Sequence, residues 1–267
     1  MPIQHVGSKP PFFCVHGCTG KVLHFYDIAR LLGPEQPFYG LSALGLEKGQ
    51  VLHTQFEDMA AHYIKEVRTI QFDGPYHIGS SGDGCGIAME MAHQLASQRQ
   101  NIGLIVLFSP TPFKPQISST KLYTYRRSLR RFFFLLNNLL QKRPLIPAII
   151  NAFLNRVLWH WKIFHKYLPR HIFRWRRFIA AFNRARFSYT PRAYQGRITC
   201  FLSDEFSLNH KKLIPDWYKL DAGKIDFRFV LGTINTMWQE PYVRILAEKL
   251  KACLEEAQTN SEGSIDT

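Results

Sequence analysis

Negative charge is missing from the middle of this 267-residue chain. Between Met91 and Ser203 there is no Asp or Glu, yet this stretch holds 20 of the 34 Lys and Arg residues. The rest of the chain carries 14 basic and 20 acidic residues, so a basic centre lies within a mildly acidic frame. Such an asymmetry predicts an acidic partner or an anionic surface for the middle of the chain.

Cysteines are few, and long apolar runs are absent. Five cysteines without a C-x-x-C pair argue against a disulfide framework and a metal site, and they favour a reduced environment. The sequence contains no run of about 18 apolar residues, so a membrane-spanning helix is not predicted. The first residues, MPIQHVGSKPPFF, lack the pattern of a secretory signal. We therefore expect a cytoplasmic protein, and the basic middle leaves peripheral contact with a membrane open.

Strands alternate with helices over the first third of the chain. Short apolar runs predict strands at 12–16, 38–42, 76–79 and 104–108. Between them, residues 55–70 have the apolar spacing of a helix. This βαβα alternation predicts a parallel sheet with helices on both faces.

The alternation stops after Ser109. Basic, aromatic helices are predicted from 111 to 190, and strands return at 197–202 and 224–231 before a final helix. A helical block inserted into an open α/β sheet is typical of a lid. The predicted organisation is an α/β core over 1–110 and 191–254, a lid insertion over 111–190, and a disordered polar tail over 255–267.

A glycine-rich turn follows the third predicted strand. The sequence GSSGDG at 79–84 leads directly into a helix. A strand, a sharp turn carrying G-x-S-x-G and a helix form the nucleophile elbow of α/β-hydrolases. Here the serines are Ser80 and Ser81, and neither stands at the serine position of that motif. The motif therefore predicts either a displaced nucleophile or an elbow that has lost it.

Several segments together resemble one known family over nearly the whole chain. They are FFCVHGCTG, LGPEQPFYGLSALGL, the elbow flanks PYHIG and EMAHQL, and GTINTMWQEP. They are similar to the thioesterase domains that release acyl or peptidyl chains from polyketide and nonribosomal peptide synthetases. The resemblance implies an α/β-hydrolase fold with a mostly parallel central sheet and an inserted helical lid. It implies no bound cofactor, only a phosphopantetheine-linked acyl group on a partner carrier protein.

The resemblance also places the family's Ser-Asp-His triad. The nucleophile position falls on Gly82, the acid position on Ser109 and the histidine position on Ile234. None of these can supply the chemistry, because a serine needs a base and the base needs an orienting acid. The implied oxyanion donors are Cys18 and Asp83, and the Asp83 carboxylate would oppose a developing oxyanion. We therefore expect a non-catalytic accessory that binds an acyl or peptidyl chain or its carrier.

An active enzyme that uses non-standard residues is the alternative. The relocated candidates are Ser80, Ser81 and Cys85 as nucleophiles and His16, in the first loop, as a base. Each also has a structural interpretation. The serines suit a tight turn that feeds a helix N-terminus, Cys85 suits a buried small hydrophobe, and His16 suits backbone hydrogen bonds. Asp204 follows a predicted strand but has no histidine to orient.

The arginines of the basic insertion have three interpretations. They can form a solvated face, steer an acidic carrier protein or synthetase module, or contact an anionic membrane. Nucleic acid is not predicted, because no nucleic-acid-binding module is present. A buried unpaired guanidinium is very unfavourable and the insertion has no carboxylates, so these side chains should face solvent or a partner. They are Arg126, Arg127, Arg130, Arg131, Arg174, Arg176 and Arg177.

Overall fold

The computed structural model describes residues 1–112, 170–204, 217 and 225–262. Within these residues seven strands form one sheet in the order β1-β3-β2-β4-β5-β6-β7. β1 pairs antiparallel with β3, and every other pairing is parallel, which confirms the predicted α/β class. The strands are β1 (Pro2–Gln4), β2 (Phe12–Val15), β3 (Phe38–Leu41), β4 (Tyr76–Ser81), β5 (Ile102–Phe108), β6 (Ile198–Ser203) and β7 (Ile225–Val230).

Helices cover both faces of the sheet. They are α1 (Tyr26–Leu31), α2 (Phe56–Arg68), α3 (Cys85–Ser97), α4 (Arg170–Ser188) and α5 (Tyr242–Glu262). One hydrophobic core contains side chains of α2, α3 and α4, and a second contains side chains of α1 and α5. Alternate residues of each strand point to opposite faces, so Phe13 joins the first core and Phe12 the second. No helix in the described ranges has both the length and the apolarity that spanning a membrane requires.

Two features of the sheet differ from the predicted strands. β4 continues to Ser81, so Ser80 and Ser81 belong to the strand and not to the turn. β1 was not predicted, because its three residues are too short to show an alternating pattern. β1 exists through its pairing with β3, where the Met1 ammonium also donates a hydrogen bond to the Gly40 carbonyl at 2.9 Å.

The α/β core includes more of the chain than the predicted boundary at residue 191. Arg174 and the residues after it form one compact unit with residues 1–114. The reason is the apolar stripe of α4, where Phe178 and Phe182 are buried in the core that also holds Phe56. The predicted insertion thus ends near Arg174. Residues 113–169, for which a lid was predicted, lie outside the described residues.

The predicted disordered tail is wrong for residues 255–262, which are helical. α5 runs to Glu262, eight residues past Leu254, where the sequence interpretation ended the helix. Ala257 is 4% exposed and extends the buried stripe of Leu250 and Leu254. The residues around Ala257 are polar, which hid a single buried position from the sequence pattern. Residues 263–267 lie outside the described part of the chain.

Candidate functional site

The turn between β4 and α3 has the geometry of a nucleophile elbow. β4 ends at Ser81, Gly82–Gly84 forms one 3₁₀ turn, and α3 begins at Cys85. Gly82 has φ +54°, a left-handed conformation that glycine adopts without steric cost. A Cβ at Gly84 would lie 2.0 Å from the His16 carbonyl oxygen, so the loop after β2 packs directly on the turn.

The structure brings two of the three family triad positions together. A Cβ built on Gly82 would lie 3.5 Å from Ile234 Cδ1, with nothing else within 4 Å. Ser109 follows β5 but is fully buried, with φ +45°. Its hydroxyl accepts a hydrogen bond from the Ser203 backbone N–H at 3.1 Å and contacts Met237 Sδ at 3.6 Å. Ser109 therefore ties β5 to β6 and to the loop before α5.

A cleft of about 420 Å³ opens above Gly82 and Ile234. Its apolar wall comes from Leu23, Ile234 and Trp238. Polar side chains enter from the segment after β2, from the elbow, and from the segments after β5 and β7. They are Cys18, Thr19, Lys21, His24, Ser81, Asp83, Thr111 and Asn235. The cleft is open at the position where the family holds its nucleophile.

The three relocated nucleophile candidates have different surroundings. The Ser80 hydroxyl is fully buried and donates to the Val15 carbonyl at 3.2 Å. Cys85 is also fully buried, its thiol donates to the Ser80 carbonyl at 3.4 Å, and burial raises its pKa well above the usual value. Only Ser81 lines the cleft, and it is 7% exposed. Among the described histidines, no ring nitrogen has a hydrogen bond to a serine or cysteine side chain.

His16 is held as a neutral structural residue. Its Nδ1–H donates to the Gly17 carbonyl at 2.7 Å, because a carbonyl oxygen can only accept. Nε2 then accepts a hydrogen bond from the Tyr63 hydroxyl at 2.7 Å. Burial lowers the pKa of His16 to about 4. Both ring nitrogens are therefore used, and neither faces a reacting group as a free base.

Two further cleft residues are of chemical interest, and the sequence interpretation missed one of them, His24. His24 lines the cleft, its ring lies edge-on to Trp238 at 5.2 Å, and burial lowers its pKa to about 4. Cys18, which the resemblance names as an oxyanion donor, is exposed on the cleft wall. Partial burial raises the pKa of the Cys18 thiol. The Asp83 carboxylate raises it further, through its negative charge and by accepting a hydrogen bond from the thiol. His24 stands in no motif, so only its position in space reveals it.

Asp83 is neutralised by an arginine from α4. Its carboxylate pairs with the Arg186 guanidinium at 2.6 Å, and the two side chains are 16% and 14% exposed. The Thr111 hydroxyl also donates to Asp83, and Arg186 donates to the Pro112 carbonyl. The sequence predicted an unopposed carboxylate beside the oxyanion position. The structure instead shows an ion pair that joins the elbow, the segment after β5 and α4.

The other predicted polar residues have mainly structural contacts. The Asp204 carboxylate accepts a hydrogen bond from the Gly232 backbone N–H at 2.8 Å and so braces the loop after β7. Arg176 and Arg177 are exposed, as expected, but Arg174 is half-buried and donates to the Leu46 carbonyl at 3.2 Å. Arg126, Arg127, Arg130 and Arg131 lie outside the described residues. In the described ranges, no group of three His, Cys, Asp or Glu side chains has the arrangement of a metal site.

Part of the chain is similar in sequence to modular synthetases. It is 37% identical over 112 residues to a dimodular nonribosomal peptide synthase of Bacillus subtilis. The matched segment covers 42% of this chain and 5% of the synthase. It is 35% identical over 112 residues to the atromentin synthetase invA1 of Paxillus involutus, covering 12% of that protein. A 38% match over 108 residues links it to invA4 of the same fungus, described as an inactive atromentin synthetase, and covers 11% of it. The chain therefore matches a small part of each relative.

Solved structures of thioesterase domains share its fold over almost the whole chain. The NocB thioesterase domain superposes with a TM-score of 0.64 at 18% identity, covering 93% of this chain and 96% of that one. The Vlm2 thioesterase domain superposes with a TM-score of 0.64 at 20% identity. The superposition covers 94% of this chain and 96% of the Vlm2 domain. These likenesses confirm the α/β-hydrolase type of fold. The family model described as thioesterase domain matches residues 10–253, and so the chain belongs to the thioesterase domain family.

Proposed function

We propose that this protein binds an acyl or peptidyl chain of nonribosomal peptide or polyketide biosynthesis without hydrolysing its thioester. The observation that carries the proposal is the pair Gly82 and Ile234, which face each other at the elbow where the family holds its serine and histidine. Thioester hydrolysis by this family needs a nucleophile, a base that takes its proton and donors for the oxyanion. At this elbow Gly82 offers only a hydrogen atom at the position of the nucleophile, and Ile234 offers a sec-butyl side chain at the position of the base.

The polar groups in the cleft do not rebuild the missing machinery. Ser81 lines the cleft, but among the described residues it has no histidine partner. A pKa of about 4 makes His24 a weak base at neutral pH. The oxyanion side is also altered, because Asp83 brings a carboxylate there and Arg186 is engaged in neutralising it. The cleft is therefore better suited to holding a ligand than to cleaving it.

The shape of the cleft supports a chain-like ligand. A volume of about 420 Å³ is within the range of small-molecule sites, and its apolar wall of Leu23, Ile234 and Trp238 suits an acyl chain. Such chains are presented on the phosphopantetheine arm of a carrier domain in the synthetases that the chain resembles. We therefore propose a carrier protein or synthetase module as the partner and a non-catalytic accessory role.

Covalent catalysis by Cys18 is the second candidate function. Its support is specific: the thiol is exposed in the same cleft as His24. Attack on an acyl thioester would form a thioester on Cys18 and release the carrier thiol. The raised pKa of the Cys18 thiol opposes this step, because the thiolate is the reactive form.

Intact-mass measurement after incubation with an activated acyl thioester separates the two candidates. We expect no acyl adduct and no thiol release approaching ordinary turnover, which is about 1–10³ s⁻¹. An adduct that Cys18→Ala or Ser81→Ala removes would establish the catalytic alternative. Binding is measured separately by calorimetry with a non-hydrolysable acyl-pantetheine amide. Ile234→Trp should fill the cleft and abolish that binding, whereas Val51→Trp, at an exposed position outside the cleft lining, should not.

A further inference from the structure

One face of α4 is strongly basic and exposed. The helix contains six arginines and no Asp or Glu. Its apolar stripe, Phe178, Phe182 and Ala185, is buried in the core. The opposite face presents Arg176, Arg177, Arg184 and Phe187, all of which are exposed. We call these four residues the outer face of α4.

The arginines of this outer face have no carboxylate partners in the described part of the chain. Other arginines nearby do: Arg186 pairs with Asp83 at 2.6 Å, and Arg192 pairs with Glu90 at 3.3 Å. Residues 92–202 contain no Asp or Glu, so the flanking sequence cannot neutralise the outer face. Three unpaired guanidinium groups on one helical face create a local positive potential that attracts an acidic surface.

We infer that the outer face of α4 docks an acidic protein domain, namely the carrier that presents the acyl chain. This inference rests on the proposed function. Charge complementarity supplies the choice of partner, and position supports it. Arg186 lies on the same helix and reaches the elbow through Asp83, so Arg184 and Phe187 lie about one helix diameter, or about 10 Å, from the cleft wall, and Arg176 and Arg177 lie about 15 Å further along the helix axis. A domain docked there holds its arm close to Gly82.

The same face is poorly suited to inserting into a membrane. An interfacial helix buries a broad apolar face among the lipid headgroups. In α4 that apolar face is already buried in the protein core, and the exposed bulky apolar residues of the helix are Trp175 near its start and Phe187 near its end. The outer face therefore offers charge with little apolar area, which favours a protein surface over a lipid one.

The test measures binding of a recombinant peptidyl carrier domain of net negative charge, loaded with a non-hydrolysable acyl-pantetheine amide. Replacing Arg176, Arg177 and Arg184 together by Glu should raise Kd at least about tenfold, mainly through the association rate. The wild-type interaction should weaken clearly between about 50 and about 300 mM salt. A matched control replaces Arg30, Lys65 and Lys251 by Glu, because they are exposed, lie on other helices and give the same change in charge. That control should change Kd less than about threefold.

Three results overturn or separate the inferences. Equal carrier affinity in the wild type and in the α4 triple variant overturns the docking surface. So does binding of phosphatidylserine vesicles that is as tight as carrier binding and is lost in the same variant. The free acyl-pantetheine amide tests the cleft alone, and all three proteins should bind it equally. If none binds it while the α4 variant still loses the carrier, the proposed function fails and the docking surface stands.

Discussion

At Gly82 the backbone still makes the bend of a nucleophile elbow, while the side chain that the bend serves is absent. The left-handed φ of +54° is strained for any residue with a Cβ, and natural elbows accept that strain to expose a serine. A glycine removes the strain. Under the proposed function, a glycine at this position therefore accounts both for the missing nucleophile and for the relaxed backbone.

Gly82→Ser should destabilise the protein by about 1–2 kcal/mol, because the left-handed region is unfavourable for a side chain. The new Cβ meets Ile234 at an ordinary contact distance of 3.5 Å, so no clash adds to this cost. Urea unfolding measures the effect, and Gly82→Ala should lose the same amount. A much larger loss for the serine would point to the hydroxyl and contradict the backbone explanation.

The same serine should remain unacylated. With Ile234 in place of the histidine, no base takes the hydroxyl proton. Intact mass after exposure to an acyl thioester should show the unmodified protein for Gly82→Ser alone. Rapid acylation would mean that another group, with His24 the first candidate in the cleft, acts as the base.

The Asp83–Arg186 pair should contribute measurably to stability, because both side chains are largely buried. Arg186→Leu leaves the Asp83 carboxylate without its counter-charge and should cost about 2–3 kcal/mol. Adding Asp83→Asn should recover part of that loss in a double-mutant cycle. Arg244→Leu is the control, since the Arg244–Glu240 pair is exposed and should be worth less than about 1 kcal/mol. Equal losses for the two arginine variants would show that the Asp83 pair is not energetically special.

At the scale of elements, α5 shows how the end of a helix depends on a few buried positions. α5 continues past Leu254 because Ala257 packs in the core, and its polar neighbours make contacts on the outside. Glu255 pairs with Lys9 at 3.2 Å, and Glu256 pairs with Arg197 at 2.5 Å. These contacts fasten the end of α5 to distant parts of the chain.

Ala257→Asp should therefore destabilise the protein by about 2–4 kcal/mol, because it places a carboxylate at a buried site. Thr259→Asp, at an exposed position two residues later in the same helix, should change stability by less than about 0.5 kcal/mol. Thermal and urea unfolding compare the two variants. Similar small effects at both sites would show that this end of the helix is not packed.

At the scale of the whole molecule, several histidines are buried as neutral groups. Burial lowers the pKa of His16, His24 and His77 from 6.5 to about 4 in each case. His77 lies in β4 between Phe12 of β2 and Leu104 of β5. Both of its ring nitrogens are buried without a hydrogen-bond partner among the described residues. Protonation of any of the three is therefore much easier in the unfolded chain.

The stability of the protein should accordingly fall as the pH is lowered from about 6.5 towards about 4. The folded-state pKa values lie below the unfolded ones, so the stabilisation is complete above pH 6.5 and is lost progressively down to about pH 4. The fully buried His16 and His77 can each contribute up to about 3 kcal/mol. Urea unfolding at a series of pH values measures how the free energy of unfolding changes with pH. That slope reports the number of protons taken up on unfolding, and His77→Leu should lower this number by about one. An unchanged slope in that variant would contradict the role of His77.

Much of the fold follows from local sequence pattern. Buried strands such as 104–108 and the spacing of 55–70 predicted the parallel sheet and its helices, because period and composition are local properties. The elbow glycines and the terminal GTINTMWQEP segment were enough to place Gly82 and Ile234 through the family resemblance. The short β1 and the last turns of α5 escaped prediction, since a partner strand and a single buried alanine stabilise them.

The sequence by itself determined the fold class and the basic character of the middle of the chain, and through the family resemblance it predicted that the triad positions fall on Gly82, Ser109 and Ile234. Only the tertiary structure decided which charges are neutralised, with Asp83 paired to Arg186 and the arginines on the outer face of α4 without a carboxylate partner among the described residues. It also decided which side chains meet in the cleft, where Cys18 and His24 lie beside Gly82. The physical reason is that composition and period act along the chain, whereas burial and charge pairing depend on distances between residues far apart in sequence.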